Sequence, residues 1–259
     1  MSIAHRLKPA TGAAFKHLLA SVLMALVVAT LVFGLWYPNP YGELAGGQDL
    51  FLLLMAVDVV CGPLLTLVIY NPRKLRAELV RDIGLVVLIQ LAALGYGLHS
   101  LMQARPVWLA FEGDRYRVVS VPDVDHAAMS EAAPALRHFG LTGPQLVGVR
   151  LAQATDPDFP QSVRLSLDGL HPAFRPSRWV AYDSQRAAVT DAAKPLAELQ
   201  SRYPQHTALI DSEVRRSGLT AQSLGFLPLM AEGRSDWVVL VRLADGEPVG
   251  YLPLDGWED

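Results

Sequence analysis

Long apolar runs dominate the first hundred residues of the chain, whereas short alternating patterns dominate the rest. Three runs, at residues 18–36, 50–70 and 83–101, are each 19–21 residues long and almost free of charged residues. An α-helix rises about 1.5 Å per residue, so each run is long enough to cross a hydrocarbon core of about 30 Å. The pattern therefore predicts three transmembrane α-helices within residues 1–101.

Beyond residue 101 the pattern predicts strands and shorter helices. Residues 107–111 and 115–121 alternate around a Glu-Gly-Asp turn, which is typical of a β-hairpin. Further strands are expected over residues 146–151, 224–230, 237–243 and 249–252. Helices are expected over residues 129–139, 158–167 and 207–217. We therefore expect residues 102–259 to form one soluble α+β domain with a mainly antiparallel sheet, in which the strands near 107–121 and 237–252 lie together.

The basic residues indicate how the helices are oriented. Seven of the chain's 22 Lys and Arg precede residue 102, three of them before the first run and four within residues 73–81. The loop at residues 37–49 contains none. Short loops rich in Lys and Arg remain in the cytoplasm, so we expect the N-terminus and the 73–81 loop to be cytoplasmic. Three crossings then place residues 102–259 on the opposite side of the membrane.

The first apolar run could also be a cleaved signal peptide. Its length exceeds the roughly 7–15 apolar residues of such signals, and the sequence from Gly34 to Pro38 lacks a small-residue cleavage site. We therefore interpret this run as an uncleaved membrane anchor.

The charge of the exported part restricts its partners. Five of the 25 Asp and Glu precede residue 102, so residues 102–259 contain 20 of them against 15 Lys and Arg. Nucleic-acid binding selects basic surfaces, so this acidic balance argues against a nucleic-acid partner. The only cysteine, Cys61, lies in the second apolar run, and no disulfide within the chain is expected.

Asp58 is the one charged residue within the three apolar runs. A carboxyl group inside a membrane costs about 2.5–3.5 kcal/mol on insertion scales, so it needs a partner or a function. Counting from the outer surface places Asp58, Thr30 and Tyr96 at a similar depth of about 12 Å. We expect these three residues to form a polar cluster, which either staples the helices together or meets a polar group of another membrane helix.

Small residues indicate where the helices pack closely. Ala93 and Gly97 form a small-xxx-small pair on the third helix, which could admit a close partner helix. Gly62 and Pro63 adjoin in the second helix, where the proline is expected to produce a kink.

The sequence lacks the motifs of common enzymes. It has no nucleophile elbow, zinc-protease motif, Walker loop or dinucleotide-binding fingerprint, and its exported histidines lack metal-ligand spacing. We therefore expect no catalytic, cofactor-binding or metal-binding residues, and a binding function rather than catalysis.

Five segments of the first half together indicate a family. They read LWYPNPYGELAGG at 35–47, DVVCGPLLTLVIYNPRK at 58–74, RD at 81–82, QLAALGYGLH at 90–99 and ARPVWLAFEGDRY at 104–116. In combination they resemble the TfpX/TfpZ family of type IV pilin accessory proteins over about residues 15–121. The resemblance implies a multi-pass bacterial inner-membrane protein with a periplasmic domain. It also implies that the protein binds the major type IV pilin, either as a chaperone or as a modulator of assembly and retraction.

Two other classes of protein stay open. A membrane sensor needs a cytoplasmic output, but the cytoplasmic segments are only about 17 and 12 residues long, too short for a domain. A membrane-anchored enzyme with a periplasmic active site needs a cluster of perturbed titratable residues in a pocket.

Reporter fusions test the predicted topology. A reporter fused after Asn71 should lie in the cytoplasm and one fused after Asp259 should be exported, because one span separates the two positions. Alkaline phosphatase is active only after export, so its activity distinguishes the two locations. Activity of both fusions, or of neither, would contradict the three-span topology.

Overall fold

Three long helices and one mixed β-sheet account for most of the ordered secondary structure. The computed structural model of the protein describes residues 4–257. The chain divides into two units, Met1–Arg105 and Pro106–Asp259.

The first unit is helical. Its elements are α1 (Ala4–Leu31), which continues as a π-helical turn over Val32–Trp36, a short α2 (Tyr41–Leu44), α3 (Gly47–Ile69) and α4 (Arg76–Ala104). Three stretches, Lys8–Trp36, Gly47–Ile69 and Arg76–Ala104, are long and apolar enough to cross a membrane by length and composition. All three helices were predicted, but they extend past the apolar runs. The reason is that polar residues end an apolar run without ending a helix.

Tyr37 holds the connection between α1 and α3. The side chain is 1% exposed, and its hydroxyl donates a hydrogen bond to the carbonyl oxygen of Leu101 at 2.9 Å. Gly47 lies directly against the ring, since a Cβ there would stand 2.4 Å from Cδ1 of Tyr37. Gly46 adopts a φ of +65°, which a glycine adopts without strain. The loop motif at residues 35–47 therefore serves as a structural scaffold.

The second unit is built on one eight-stranded sheet. Its strands are β1 (Pro106–Phe111), β2 (Tyr116–Ser120), β3 (Gln145–Val149), β4 (Trp179–Val180), β5 (Lys194–Pro195), β6 (Leu224–Ala231), β7 (Arg234–Arg242) and β8 (Glu247–Leu252). The order is β4-β3-β1-β2-β6-β7-β8, with β5 also paired to β6. The sheet does join the hairpin to the C-terminal strands, as predicted. The sheet was predicted to be mainly antiparallel, and most of its pairings are, but it is mixed because β1 pairs with β3 and β2 with β6 in parallel.

Four helices complete the second unit: α5 (Phe159–Leu167), α6 (Arg186–Ala192), α7 (Leu196–Arg202) and α8 (Thr207–Ser217). Helix α8 matches its prediction and ends at Gly218, whose φ is +70°. The helix predicted over 129–139 is wrong, since this segment forms 3-10 turns at His126–Glu131 and Pro134–Leu136. Pro134 lacks an amide hydrogen and holds the preceding Ala133 in an extended conformation, with ψ of 142°.

Two hydrophobic clusters stabilise the two halves of the sheet. The first surrounds β1, β3 and β4, where Trp108 packs edge-to-face on Trp179 with ring centroids 5.6 Å apart. The second lies where α7 and α8 cover β6–β8, and includes Leu199, Ile210 and Phe226. Burial of these side chains supplies the main driving force for folding of the unit.

Glu213 links α8 to the outer strand of the sheet. Its carboxylate accepts hydrogen bonds from the Tyr251 amide at 2.9 Å and from Nε of Arg216 at 2.7 Å. Gly250 makes room for it, since a Cβ there would lie 2.5 Å from Oε1 of Glu213. Burial by itself raises the pKa of Glu213, but the hydrogen bonds from Arg216 and Tyr251 lower it below the ordinary value.

Glu213→Gln should destabilise the second unit by about 1–2 kcal/mol at pH 7, because it removes charge-assisted hydrogen bonds from a nearly buried group. The folded pKa is depressed, so this stabilisation is present above the unfolded pKa and is lost as pH falls through the folded pKa. Thermal unfolding of the full-length protein in detergent should show a difference between wild type and variant that shrinks below about pH 4. Glu198→Gln, at an exposed position of α7, is the matched control. An equal loss of stability in both variants would contradict this role.

Candidate functional site

A small pocket lies among α1, α3 and α4 in the first unit. Its volume is about 160 Å³. The walls are mainly apolar, and the polar side chains among them are His17, Ser21, Asp58 and Gln90. The pocket thus places a carboxyl group and an amide within a largely apolar surrounding.

Thr30, Asp58 and Tyr96 do not form the cluster expected from the sequence. The hydroxyl of Thr30 donates to the carbonyl of Leu26 in its own helix at 2.9 Å. Tyr96 is 76% exposed, whereas Asp58 is half-buried at the pocket. The prediction of a shared polar cluster is therefore corrected: Asp58 has other neighbours.

The side of the helix on which each residue lies explains this correction, because depth along the helix does not separate Tyr96 from Gln90. Asp58 lies eleven residues after the start of α3 at Gly47, or about 16 Å along it, and therefore deeper than the apolar run suggested. Helix α4 continues to Ala104, so Tyr96 is about 12 Å and Gln90 about 21 Å from its end. Gln90, and not Tyr96, is the polar residue of α4 that meets α3 near Asp58.

Gln90 crosses from α4 to α3. Its Nε2 donates to the backbone carbonyl of Asp58 at 2.9 Å. Gly62 makes this contact feasible, since a Cβ there would stand 2.1 Å from Nε2 of Gln90. Oε1 of Gln90 is buried and has no hydrogen-bond partner within the described part of the chain. Gly62 therefore lies at the contact between α3 and α4, and Pro63 follows it inside a helix that continues to Ile69.

The small residues of α4 have different environments. A Cβ at Gly97 would stand 2.2 Å from Cδ1 of Leu54, so this glycine faces α3 of the same chain. Ala93 is exposed. Ala93 and Gly97 therefore do not form one contact surface. Gly97 packs against α3, whereas Ala93 contacts no other helix within residues 4–257 closely enough to be buried.

His17 extends the polar region along α1 and α3. Its Nδ1 lies 2.6 Å from Oγ1 of Thr66, a residue that is 2% exposed. The sequence pattern did not identify this pair or Gln90 as neighbours of Asp58. His17 directly precedes the first apolar run, so the run itself gives no indication that this residue is partly buried. Its burial depends on the pairing of α1 with α3, which no local motif encodes.

The pocket is suited to an apolar group that carries a hydrogen-bond donor. No Lys or Arg within residues 8–257 lies within ion-pair distance of Asp58, so its carboxyl group can accept a donor from elsewhere. No group of three His, Cys, Asp or Glu in the described residues could hold a metal ion.

Comparison with known proteins shows the family of the chain. A family model described as fimbrial assembly protein FimB matches residues 5–46. The fimbrial assembly proteins of Dichelobacter nodosus serogroups E1 and I are each 35% identical, and the matches cover 87% of this chain and 88% of each relative. The protein of serogroups C1 and C2 is 43% identical over 42% of this chain and 82% of its own length. No solved structure matches the chain significantly. This chain belongs to the family of fimbrial assembly proteins.

Gly97→Leu should weaken the helix bundle, because the new side chain would overlap Leu54 at the contact between α3 and α4. Overpacking of this kind costs about 1–3 kcal/mol. Gly95→Leu is the matched control on the same helix, since a Cβ there meets no atom within 4 Å. Thermal unfolding in detergent should show a lower Tm for Gly97→Leu alone. Equal Tm values for the two variants would rule out a packing role for Gly97.

Proposed function

We propose that this protein is an inner-membrane accessory protein that binds the major type IV pilin during fimbrial biogenesis. Membership of the fimbrial assembly family supports a role in fimbrial biogenesis. The motifs at residues 35–47 and 58–74 support the narrower assignment to TfpX/TfpZ-type proteins. In this proposal the protein acts as a pilin chaperone or as a modulator of assembly and retraction, without catalysis.

The surface of the helical unit supports a membrane location. Many of its large apolar side chains are strongly exposed, including Leu23, Leu53, Val68 and Leu88. Apolar surface of this extent is unfavourable in water and compatible with lipid. Together with the basic residues at 73–81, it supports three membrane crossings with a cytoplasmic N-terminus and a periplasmic second unit.

The observation that carries the proposal is the pocket at Asp58. A type IV pilin waits in the membrane with an apolar helix in lipid and a globular head outside. A specific helper therefore needs an apolar surface for the helix, with at least one polar group that selects it. The mainly apolar pocket of about 160 Å³ has room for one side chain of such a helix, and the Asp58 carboxyl on its wall supplies the polar group.

Substitutions of Asp58 test this function. Asp58→Leu should leave the abundance of the protein unchanged and reduce pilin co-purification at least tenfold, because the acceptor for the pilin helix is lost. Asp58→Asn keeps one acceptor oxygen and should retain part of the binding. Pilin recovered with affinity-purified protein from detergent-solubilised membranes, normalised to protein abundance, is the measurement.

Asp49→Leu is the control, since Asp49 lies in the first turn of α3 at an exposed position. It should not change pilin recovery. If Asp58→Leu lowers the abundance of the protein itself, Asp58 is a structural staple. Normal abundance with normal pilin recovery would exclude both roles for Asp58 and remove the main support for the proposal.

A further inference from the structure

A second pocket, in the sheet-containing unit, is lined by two buried arginines. It has a volume of about 400 Å³ and lies beside the first turn of α5. Arg175 is 6% and Arg178 is 4% exposed. Ser162 of α5 is also buried and lines the same pocket. Buried arginines normally occur with a paired carboxylate, so the partners of these two side chains are informative.

Only one of the two arginines has a counter-charge. Arg178 forms an ion pair with Asp158. Arg175 instead donates from Nη2 to the hydroxyl of Ser162 at 2.8 Å, and its Nε is buried without a hydrogen-bond partner in the described residues. Burial and the neighbouring Arg178 lower the pKa of Arg175, as expected for a cation without a direct carboxylate partner. A buried charge in this condition is costly unless something else pairs with it.

Glu112 is also close enough to act on the charge of Arg175, but its carboxylate is already paired. Its carboxylate accepts from Nε of Arg117 at 2.9 Å and from the amide of Ala173 at 3.3 Å. Within the described residues, Arg175 therefore has a hydroxyl partner but no carboxylate at ion-pair distance.

We infer that this pocket binds a carboxylate group, held by the Arg175 guanidinium and the hydroxyls of Ser162 and Ser177. Arginine pairs with carboxylates in a planar, two-point geometry. Asp125, Glu131 and Asp158 also line the pocket, so a doubly charged phosphate meets more repulsion than a singly charged carboxylate. The inference does not depend on the proposed pilin binding, because every residue in it belongs to the second unit.

An adjoining groove indicates what else the ligand contains. Ser162 also lines this groove, whose other walls include Phe159, Val163 and Leu167. Leu167 is 83% exposed. A carboxylate with an adjacent apolar side chain fits both sites, either as the acidic or C-terminal residue of a polypeptide or as a free small acid.

Ligand titration of the full-length protein in detergent tests the inference. The probes are acetyl-Ala-Leu with a free carboxylate, the same dipeptide as its amide, acetate and inorganic phosphate, all at matched ionic strength. The free acid should raise the Tm of the second unit by about 4 °C at tenfold excess over its Kd, whereas the amide and phosphate should not. An acetate effect equal to that of the dipeptide identifies a small acid as the source, and an effect of the dipeptide alone identifies a polypeptide. No response to any carboxylate overturns the inference.

Variants assign the response to Arg175. Arg175→Met should raise the Tm without ligand, because it replaces an uncompensated buried charge by an apolar chain, and should abolish the response. Arg164→Met, at an exposed position of α5, should change neither. Should Arg175→Met fail to fold, Arg175→Lys, which keeps the charge without the planar fork, should weaken the response at least fivefold. A full response in either Arg175 variant overturns the assignment.

Discussion

The close contact between α3 and α4 is the constraint on which the helical unit depends. In the proposed membrane location, association of these helices relies on close packing and hydrogen bonds, because lipid is as apolar as the side chains. Gly62 and Gly97 provide that packing, each where a Cβ would overlap a side chain of the opposite helix. Since Gln90 lies on Gly62, its amide reaches the carbonyl of Asp58. The mainly apolar pocket at Asp58 therefore depends on the packing of these two helices, with α1 forming its remaining wall.

The apolar runs predicted the long helices well, but they could not predict the neighbours of Asp58. Counting residues gives the depth of a side chain in a helix, and an error of a few residues at the start shifts that depth by one turn. Counting gives no information on which side of the helix a residue lies relative to its neighbours. The cluster of Thr30 and Tyr96 with Asp58 was not found for this reason. At Gly62 the structure places the side chain of Gln90 where a Cβ would lie.

In the second unit, the features that local sequence signals specify were predicted, and those that depend on distant segments were not. Helix α8 was predicted correctly because its apolar spacing and Gly218 are local signals. The parallel pairing of β2 with β6 joins segments more than a hundred residues apart, and no local pattern specifies it. The buried arginines were missed as well. Arg178 ends a short 3-10 turn and Arg175 directly precedes that turn, and the burial of both depends on α5 and on the loop near Asp125.

Some buried polar groups hold elements of the molecule together, whereas others lack a complete set of partners within the described residues. The hydroxyl of Tyr37 and the carboxylate of Glu213 both have well-formed partners within the chain, and they hold elements together. Gln90 and Arg175 each bury an atom that lacks a partner in the described residues. Nε1 of Trp108 and Nε1 of Trp237 also lack a partner there, but Gln90 and Arg175 differ from them in that each lines a pocket. An unsatisfied buried group lowers stability, so its completion by a molecule in the pocket would supply free energy for binding.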